Sequence, residues 1–134
     1  MGAASLRWGR ILLGGFLGEM ILIAAVIPMR AFGSTESAIT VAAVAGSYVA
    51  FVPIAWWLTR TLGRPVLHGM LMGAVAAAIY IALSVGAQQF VPDAPPVPLI
   101  YYVAHVLKLA GGATGGWLAG RTPTSAGPVR ARQL

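Results

Sequence analysis

The chain has 134 residues, 58% of them apolar and only 9% charged, with a formal net charge of +6 and no cysteine. An ordinary soluble domain is about 25% charged, so the composition points away from a globular protein in water, and the length suits one compact unit with no second domain. The missing cysteines exclude disulfides and thiolate metal sites.

Hydrocarbon about 30 Å thick takes roughly 20 helical residues per crossing. Four apolar stretches of that length, at about 11–29, 38–59, 66–87 and 98–120, use up most of the chain. The expectation is an all-α integral membrane four-helix bundle over residues 1–121. After Arg121 the composition turns to Thr, Pro, Ser, Gly and Arg, which reads as a flexible tail over 122–134.

The first stretch ends at Arg30, just before Ala31-Phe32-Gly33, a small-x-small pattern of the kind cleaved after a signal peptide. Its apolar region is longer than the usual 7–15 residues of a signal peptide and contains Glu19, so a retained span is expected. In the second stretch Pro53 lacks a backbone donor and should kink the helix. The connections at 30–37 and 60–65 are short. The third, Gln88 to Val97 with Pro98 following, is proline-rich and should form a stiff, extended strap.

The positive charge is placed asymmetrically. Arg7 and Arg10 precede the first stretch, Arg60 and Arg64 lie between the second and third, and Arg121, Arg130 and Arg132 follow the fourth. Only Arg30 falls on the opposite side, together with Glu36 and Asp93. This bias puts both termini in the cytoplasm of a multi-pass cell-membrane protein, with the bacterial inner membrane as the expected setting. The basic balance then signals topology and affinity for the anionic headgroups of the lipid bilayer, not a nucleic-acid partner. Trp8, Trp56, Trp57 and Trp117 fall near the same cytoplasmic ends, as an interfacial belt requires.

The two halves are alike at one offset. Gly9 to Leu17 aligns with Gly63 to Leu71, and Tyr48 to Val52 aligns with Tyr102 to Val106, both 54 residues apart. The expectation is a duplicated helical hairpin in a parallel repeat. At that offset Glu19 corresponds to Gly73 and Lys108 to Ile54, so the charges stand outside the repeat.

Small residues recur at packing intervals: Gly14 and Gly18, Gly69 and Gly73, and Gly111, Gly112, Gly115 and Gly116, with Ala42, Gly46 and Ala50 on the second stretch. In lipid there is no hydrophobic drive between helices, so close backbone approach supplies the packing. These stripes suit a bundle packing on itself, or a homo-oligomer or membrane-protein partner.

Two residues stand out chemically. Glu19 and Lys108 each put a charge deep in an apolar stretch, at a cost of ~3 kcal/mol or more per charge. The first and fourth stretches run oppositely, so the two reach similar depth near the midplane. His105 lies one turn from Lys108 on a face shared with Tyr101, Gly112 and Gly115, which should point into the bundle. One reading is a Glu19–Lys108 pair, with His105, that only fixes helix register. Another is transport or a proton relay through these groups, since intramembrane ionisable residues lean towards function. A protonated Glu19, or partners in another subunit, are the further alternatives.

Enzymatic readings find little. His68 and His105 are too few and too far apart for a metal site. No serine, histidine and acid form a nucleophile arrangement, and the glycines lie inside apolar stretches rather than in a phosphate-binding loop. The expectation is no enzyme and no cofactor.

The segment Leu13-Gly14-Gly15-Phe16-Leu17-Gly18-Glu19-Met20 resembles the first helix of small multidrug resistance transporters, four-helix proteins of similar size. In that family a first-helix glutamate binds protons and cationic substrate in competition, and Glu19 occupies the matching position. The family's tryptophan-serine-glycine stretch in the third helix is missing here, where Met72 to Tyr80 stand. Lys108 in the fourth helix disfavours a cationic substrate. The wider layout resembles small four-helix proteins of bacterial inner membranes, a likeness that brings no function with it. Two expectations result: a non-enzymatic helix-packing component of a homo-oligomer or larger membrane complex, or a small proton-coupled transporter using Glu19 with Lys108 and His105.

Overall fold

The structure, a computed structural model, describes residues 5–90 and 98–122. They form α1 (Trp8–Ala31), α2 (Glu36–Val49), α3 (Phe51–Thr59), α4 (Pro65–Phe90) and α5 (Ile100–Arg121). α2 and α3 are two segments of one rod, so the fold is all-α with four helices and no strand among the described residues.

Local chemistry sets the boundaries. α1 ends in a Schellman motif: Gly33 takes φ +74°, the Gly33 N–H donates to the Arg30 carbonyl and the Ser34 N–H to that of Met29. Only glycine adopts that left-handed position without penalty, and the two bonds satisfy carbonyls the helix end leaves free. Thr35 then caps α2 by accepting from the Ala38 N–H at 3.3 Å, with Glu36 in the first turn where the helix dipole favours it. The break between α2 and α3 falls at Ala50. Pro53 has no N–H to give the Val49 carbonyl, four residues back, which is where the ladder fails. Pro65 opens α4 at its first position, where a missing N–H costs nothing.

Chain order puts Trp8, the 60–64 turn and Arg121 at one end of the bundle, the terminal end. Arg10 ties that end together, its guanidinium donating to the Leu58 carbonyl at 3.0 Å and the Thr61 hydroxyl at 2.7 Å. α5 packs against α4 and against the α2–α3 rod, and α1 packs against α4 and the same rod. α1 and α5 stand at opposite corners, with no Cα of one within 8 Å of the other.

Glycines bring the neighbouring rods together. Gly69 and Gly112 face each other across α4 and α5, where a Cβ on either would collide with the other's carbonyl. Gly73 lies against the Lys108 carbonyl, Gly116 against that of Pro65, Gly111 against that of Tyr48 and Gly115 against that of Val52. On α1, Gly14 accommodates Met72 and Gly18 accommodates the Phe51 ring.

The side chains depart from those of a protein in water in what they bury besides an apolar core and in what they expose. Glu19, Lys108, His68, Ser47 and Thr59 are buried, while Leu12, Phe16, Ile21, Ile27, Ile81 and Leu83 are exposed. Three rods, Trp8–Ala31, Glu36–Thr59 and Pro65–Phe90, are long and apolar enough to cross a membrane. α5 has comparable length, 22 residues, but His105, Lys108 and its glycines keep it below the apolarity of the other three. The physical reason is its position: the glycine face and Lys108 are covered by the other rods.

Two sequence readings are adjusted. Gln88, Gln89 and Phe90, read as the start of the proline-rich strap, belong to the last turn of α4. Residues 91–97 of that strap, Asp93 included, lie outside the described residues, as does the tail beyond Thr122 with Arg130 and Arg132. The 54-residue offset can also be compared with burial. Buried Gly14, Gly15, Gly18, Glu19 and Leu22 on α1 correspond to buried His68, Gly69, Met72, Gly73 and Ala76 on α4. On α3 and α5 the buried faces match 53 apart instead, Phe51 with Ala104, Ala55 with Lys108, Leu58 with Gly111 and Thr59 with Gly112. The second helices of the hairpins are therefore turned by one residue relative to the sequence match.

Candidate functional site

Glu19 is the twelfth of the 24 residues of α1, which puts it at mid-length. Lys108 occupies a similar level on the antiparallel α5. Their side chains cross the middle of the bundle, with Lys108 Nζ donating to Glu19 Oε2 at 2.6 Å. Each side chain is only 2% exposed. The pair thus spans the corner-to-corner distance that the two backbones leave open. Gly18 and Gly73 make room for this. One admits the Phe51 ring beside Glu19, and the other lets the α5 backbone approach α4 at Lys108 itself.

Leu22, Phe51 and Ala76 form a buried apolar cluster at the level of the pair. Towards the other end the bundle opens. A cavity of about 220 Å³ lies there, with Glu19 and Lys108 at its floor and Leu22, Ile23, Val26 and Ile27 of α1 along one wall. Ser47, Tyr80, Tyr101 and His105 supply polar atoms to the other walls. The Ser47 hydroxyl donates to the Ala43 carbonyl at 2.7 Å, leaving only its lone pairs for the cavity.

The aromatic groups form one cluster. The Tyr80 ring lies 4.9 Å from His105 and 6.0 Å from Tyr101, centroid to centroid, and Tyr102 meets His105 edge-on at 6.4 Å. Lys108 Nζ stands 5.2 Å from the centre of the Tyr80 ring, within the range of a cation–π contact. His105 Nδ1 is buried and has no hydrogen-bond partner among the described residues. A second cavity of about 280 Å³, lined by Ser84, Val85, Gln88 and Tyr102, shares Tyr80 and His105 with the first.

Of the residues singled out from the sequence, Glu19, Lys108, His105 and Tyr101 come together around this cavity. Gly111 and Gly115 lie in the contact of α5 with the α2–α3 rod, Gly112 and Gly116 in its contact with α4 across from Gly69, Gly73 and Pro65, and Gly14 and Gly18 where α1 meets Met72 and Phe51. Tyr80 and Ser47 were not singled out. Tyr80 carries no sequence signal, since its place depends on where α4 meets α5, whereas Ser47 is a lone hydroxyl four residues before the buried Phe51 and could have been noticed. His68 is elsewhere: it accepts the Arg7 N–H on Nε2 at 3.1 Å, and Nδ1 lies 2.8 Å from the Arg64 carbonyl. A carbonyl only accepts, so Nδ1 carries the proton and His68 is the neutral Nδ1–H tautomer. Among the described residues no group of three or more His, Cys, Asp or Glu could hold a metal ion.

Chemically, the site joins a compensated ion pair to unmet hydrogen-bonding capacity. An ammonium has three N–H donors; that of Lys108 makes one bond, to Glu19, and presents another side to the Tyr80 ring. Glu19 Oε1 makes no bond to the described residues. Comparison with protein-family models, with curated proteins and with solved structures finds no match to this chain.

Proposed function

We propose that this chain is a non-enzymatic integral membrane protein, crossing the bilayer with all four rods and both termini cytoplasmic, that serves as a helix-packing component of a homo-oligomer or larger membrane complex. The observation that carries this reading is a charged pair buried inside while large apolar groups cover the outside. Arginine placement supports the orientation, since Arg7, Arg10, Arg60, Arg64 and Arg121 share one end while Arg30 stands at the other. The bacterial inner membrane is the setting such a bias suits.

The glycine stripes are occupied by contacts within the chain. A partner therefore meets the exposed Leu, Ile, Val and Phe side chains, and the ion pair acts as an internal latch that holds α1 and α5 in register. The test is chemical crosslinking in native membranes followed by purification in mild detergent. A second copy or a stoichiometric membrane protein is the expected product. A strictly monomeric chain that drives pH-dependent flux in proteoliposomes would overturn the reading.

A second reading has its own support. The cavity reaches the Glu19 carboxylate, which is where a small proton-coupled transporter would bind. In that case Glu19→Gln abolishes flux and leaves the fold intact, whereas a latch makes the same substitution destabilising.

A further inference from the structure

We infer that the cavity above the Glu19–Lys108 pair is a binding site for a small, uncharged amphiphile, its hydrogen-bonding head on the ion pair and its apolar body along α1. The inference takes the surrounding medium from the membrane reading and nothing from the role proposed above.

Charge comes first. The floor of the cavity holds one carboxylate and one ammonium at 2.6 Å, so it is already neutral. A ligand with net charge would bring an uncompensated ion into a site of low dielectric, which is expensive. A cation would have to displace Lys108 from Glu19, and an anion would have to displace Glu19 from Lys108. An uncharged head displaces neither.

The hydrogen-bond inventory defines the head. Among the described residues Lys108 retains donor capacity beyond its single bond, Glu19 Oε1 is a free acceptor and His105 Nδ1 is a buried nitrogen without a partner. A hydroxyl or a primary amide, which both donates and accepts, satisfies the ammonium and the carboxylate together. Ser47, its hydrogen committed to Ala43, adds a further acceptor. Buried polar groups left unmatched cost stability, so a head that matches several at once gains from each.

Shape defines the body. The wall of Leu22, Ile23, Val26 and Ile27 follows one face of α1 away from the pair, and an aliphatic or flat apolar group would lie along it. At about 220 Å³ the space is below the roughly 300–1,000 Å³ of drug-sized sites, so the ligand is small, hexanol-sized rather than a whole lipid. A free alcohol and the hydroxyl end of a larger lipid share this chemistry.

The test uses the full chain in phosphatidylcholine nanodiscs and a hexanol-sized aliphatic diazirine with a hydroxyl head, photolysed and mapped by mass spectrometry. The expected label saturates, falls in residues 22–27 and 101–108, and is displaced by unlabelled hexanol. Analogues with a carboxylate or trimethylammonium head label the same residues roughly tenfold less, reflecting the cost of an unpaired charge. Ala43→Phe, which fills the cavity from α2, removes the label; Val26→Phe does the same from α1 should the first variant fail to fold. Displacement by a diacylglycerol as well as by hexanol identifies a lipid as a source of the head, and displacement by hexanol alone identifies a free solute; both support the site. Unsaturable labelling, labelling spread equally over outward residues such as Phe16 and Ile81, equal labelling by the charged analogues, or label that survives cavity filling in a folded variant overturns the inference.

Discussion

The two ends of this bundle are built on different principles. In the terminal half, glycine carbonyls and glycine Cα atoms set the distance between α4 and α5, and Gly14, Gly15 and Gly18 do so for α1. In the far half no glycine of α1, α4 or α5 stands at a contact between rods. α1 buries nothing after Leu22, α4 nothing after Ala77, and α5 nothing before Ala104; Ile39 on α2 is buried in that half. Interaxial distance follows the size of the side chains at the contact, so rods that touch backbone to backbone at one end diverge where Val26, Tyr80 and Tyr101 replace glycine. The ion pair lies at the boundary. It forms the floor of the cavity, one turn inside Leu22 and Ala76.

On that contrast, the most damaging change is in the closed half. Gly112→Leu places a branched side chain where the Gly69 carbonyl already lies, and no rotamer relieves a clash with backbone. Overpacking costs about 1–3 kcal/mol in soluble cores and more where the backbone must move. The expected outcome is failure to recover folded protein, read by gel filtration and circular dichroism in detergent. Gly86→Leu, in the far half where a Cβ meets nothing within 4 Å, should be close to neutral. Equal damage from both would erase the distinction between the halves.

Next in size is the pair itself. Glu19→Gln strands the Lys108 ammonium, and Lys108→Met strands the carboxylate. Each should cost about 3 kcal/mol or more, because removing one partner leaves an uncompensated buried charge. The double variant should recover much of the loss, giving a strong coupling in the double-mutant cycle. The measurement is unfolding by SDS titration in mixed micelles. Additive losses would mean that the pair contributes no mutual stabilisation and that α1 and α5 are held by their neighbours alone.

Orientation adds an intermediate test that does not depend on stability. Reporter fusions after Leu134 and within 60–64 should read cytoplasmic, and one within 90–96 external. That outcome would make the far half the outward half and place the cavity mouth on the outer side. A cytoplasmic reading at 90–96 would invert the assignment.

Much of this was legible in the sequence because it depends on period and length. Apolar runs of about 20 residues fix four rods, and Pro53 fixes the break in the second. Glu19 and Lys108 were conspicuous because charge in an apolar run has few explanations. The boundary at Phe90 was not, since Gln88 and Gln89 are as acceptable in a final helical turn as in a loop. Nor was Tyr80, which reaches the site only through the angle at which α4 leaves α5. That placement depends on the close contacts at Gly69 and Gly73, three and two turns away, and no local pattern around Tyr80 encodes it. The sequence offset of 54 also did not reveal that α3 and α5 present faces one residue out of step, because apolar residues match at neighbouring registers with little penalty.

The smallest expected effect compares two residues one turn apart on α1. Leu22, at the base of the cavity wall, is 8% exposed and packs with Phe51 and Ala76, whereas Val26 lines the cavity one turn further out and is half-buried. In lipid a truncated side chain loses packing rather than hydrophobic transfer energy. Leu22→Ala therefore opens a void in a filled core and should cost about 2 kcal/mol, near the low end for such truncations. Val26→Ala merely widens a space that exists, so its cost should stay below about 0.5 kcal/mol, within the range of substitutions away from packed features. The two losses, divided by the three and two carbons removed, should differ several-fold per carbon. A Val26→Ala loss as large per carbon as that of Leu22→Ala would mean that the far half is packed as firmly as the terminal half, with the rods closed over the pair. An enlarged cavity with unchanged stability is what an open half requires, and the same variant should then admit a longer alcohol than the wild type does.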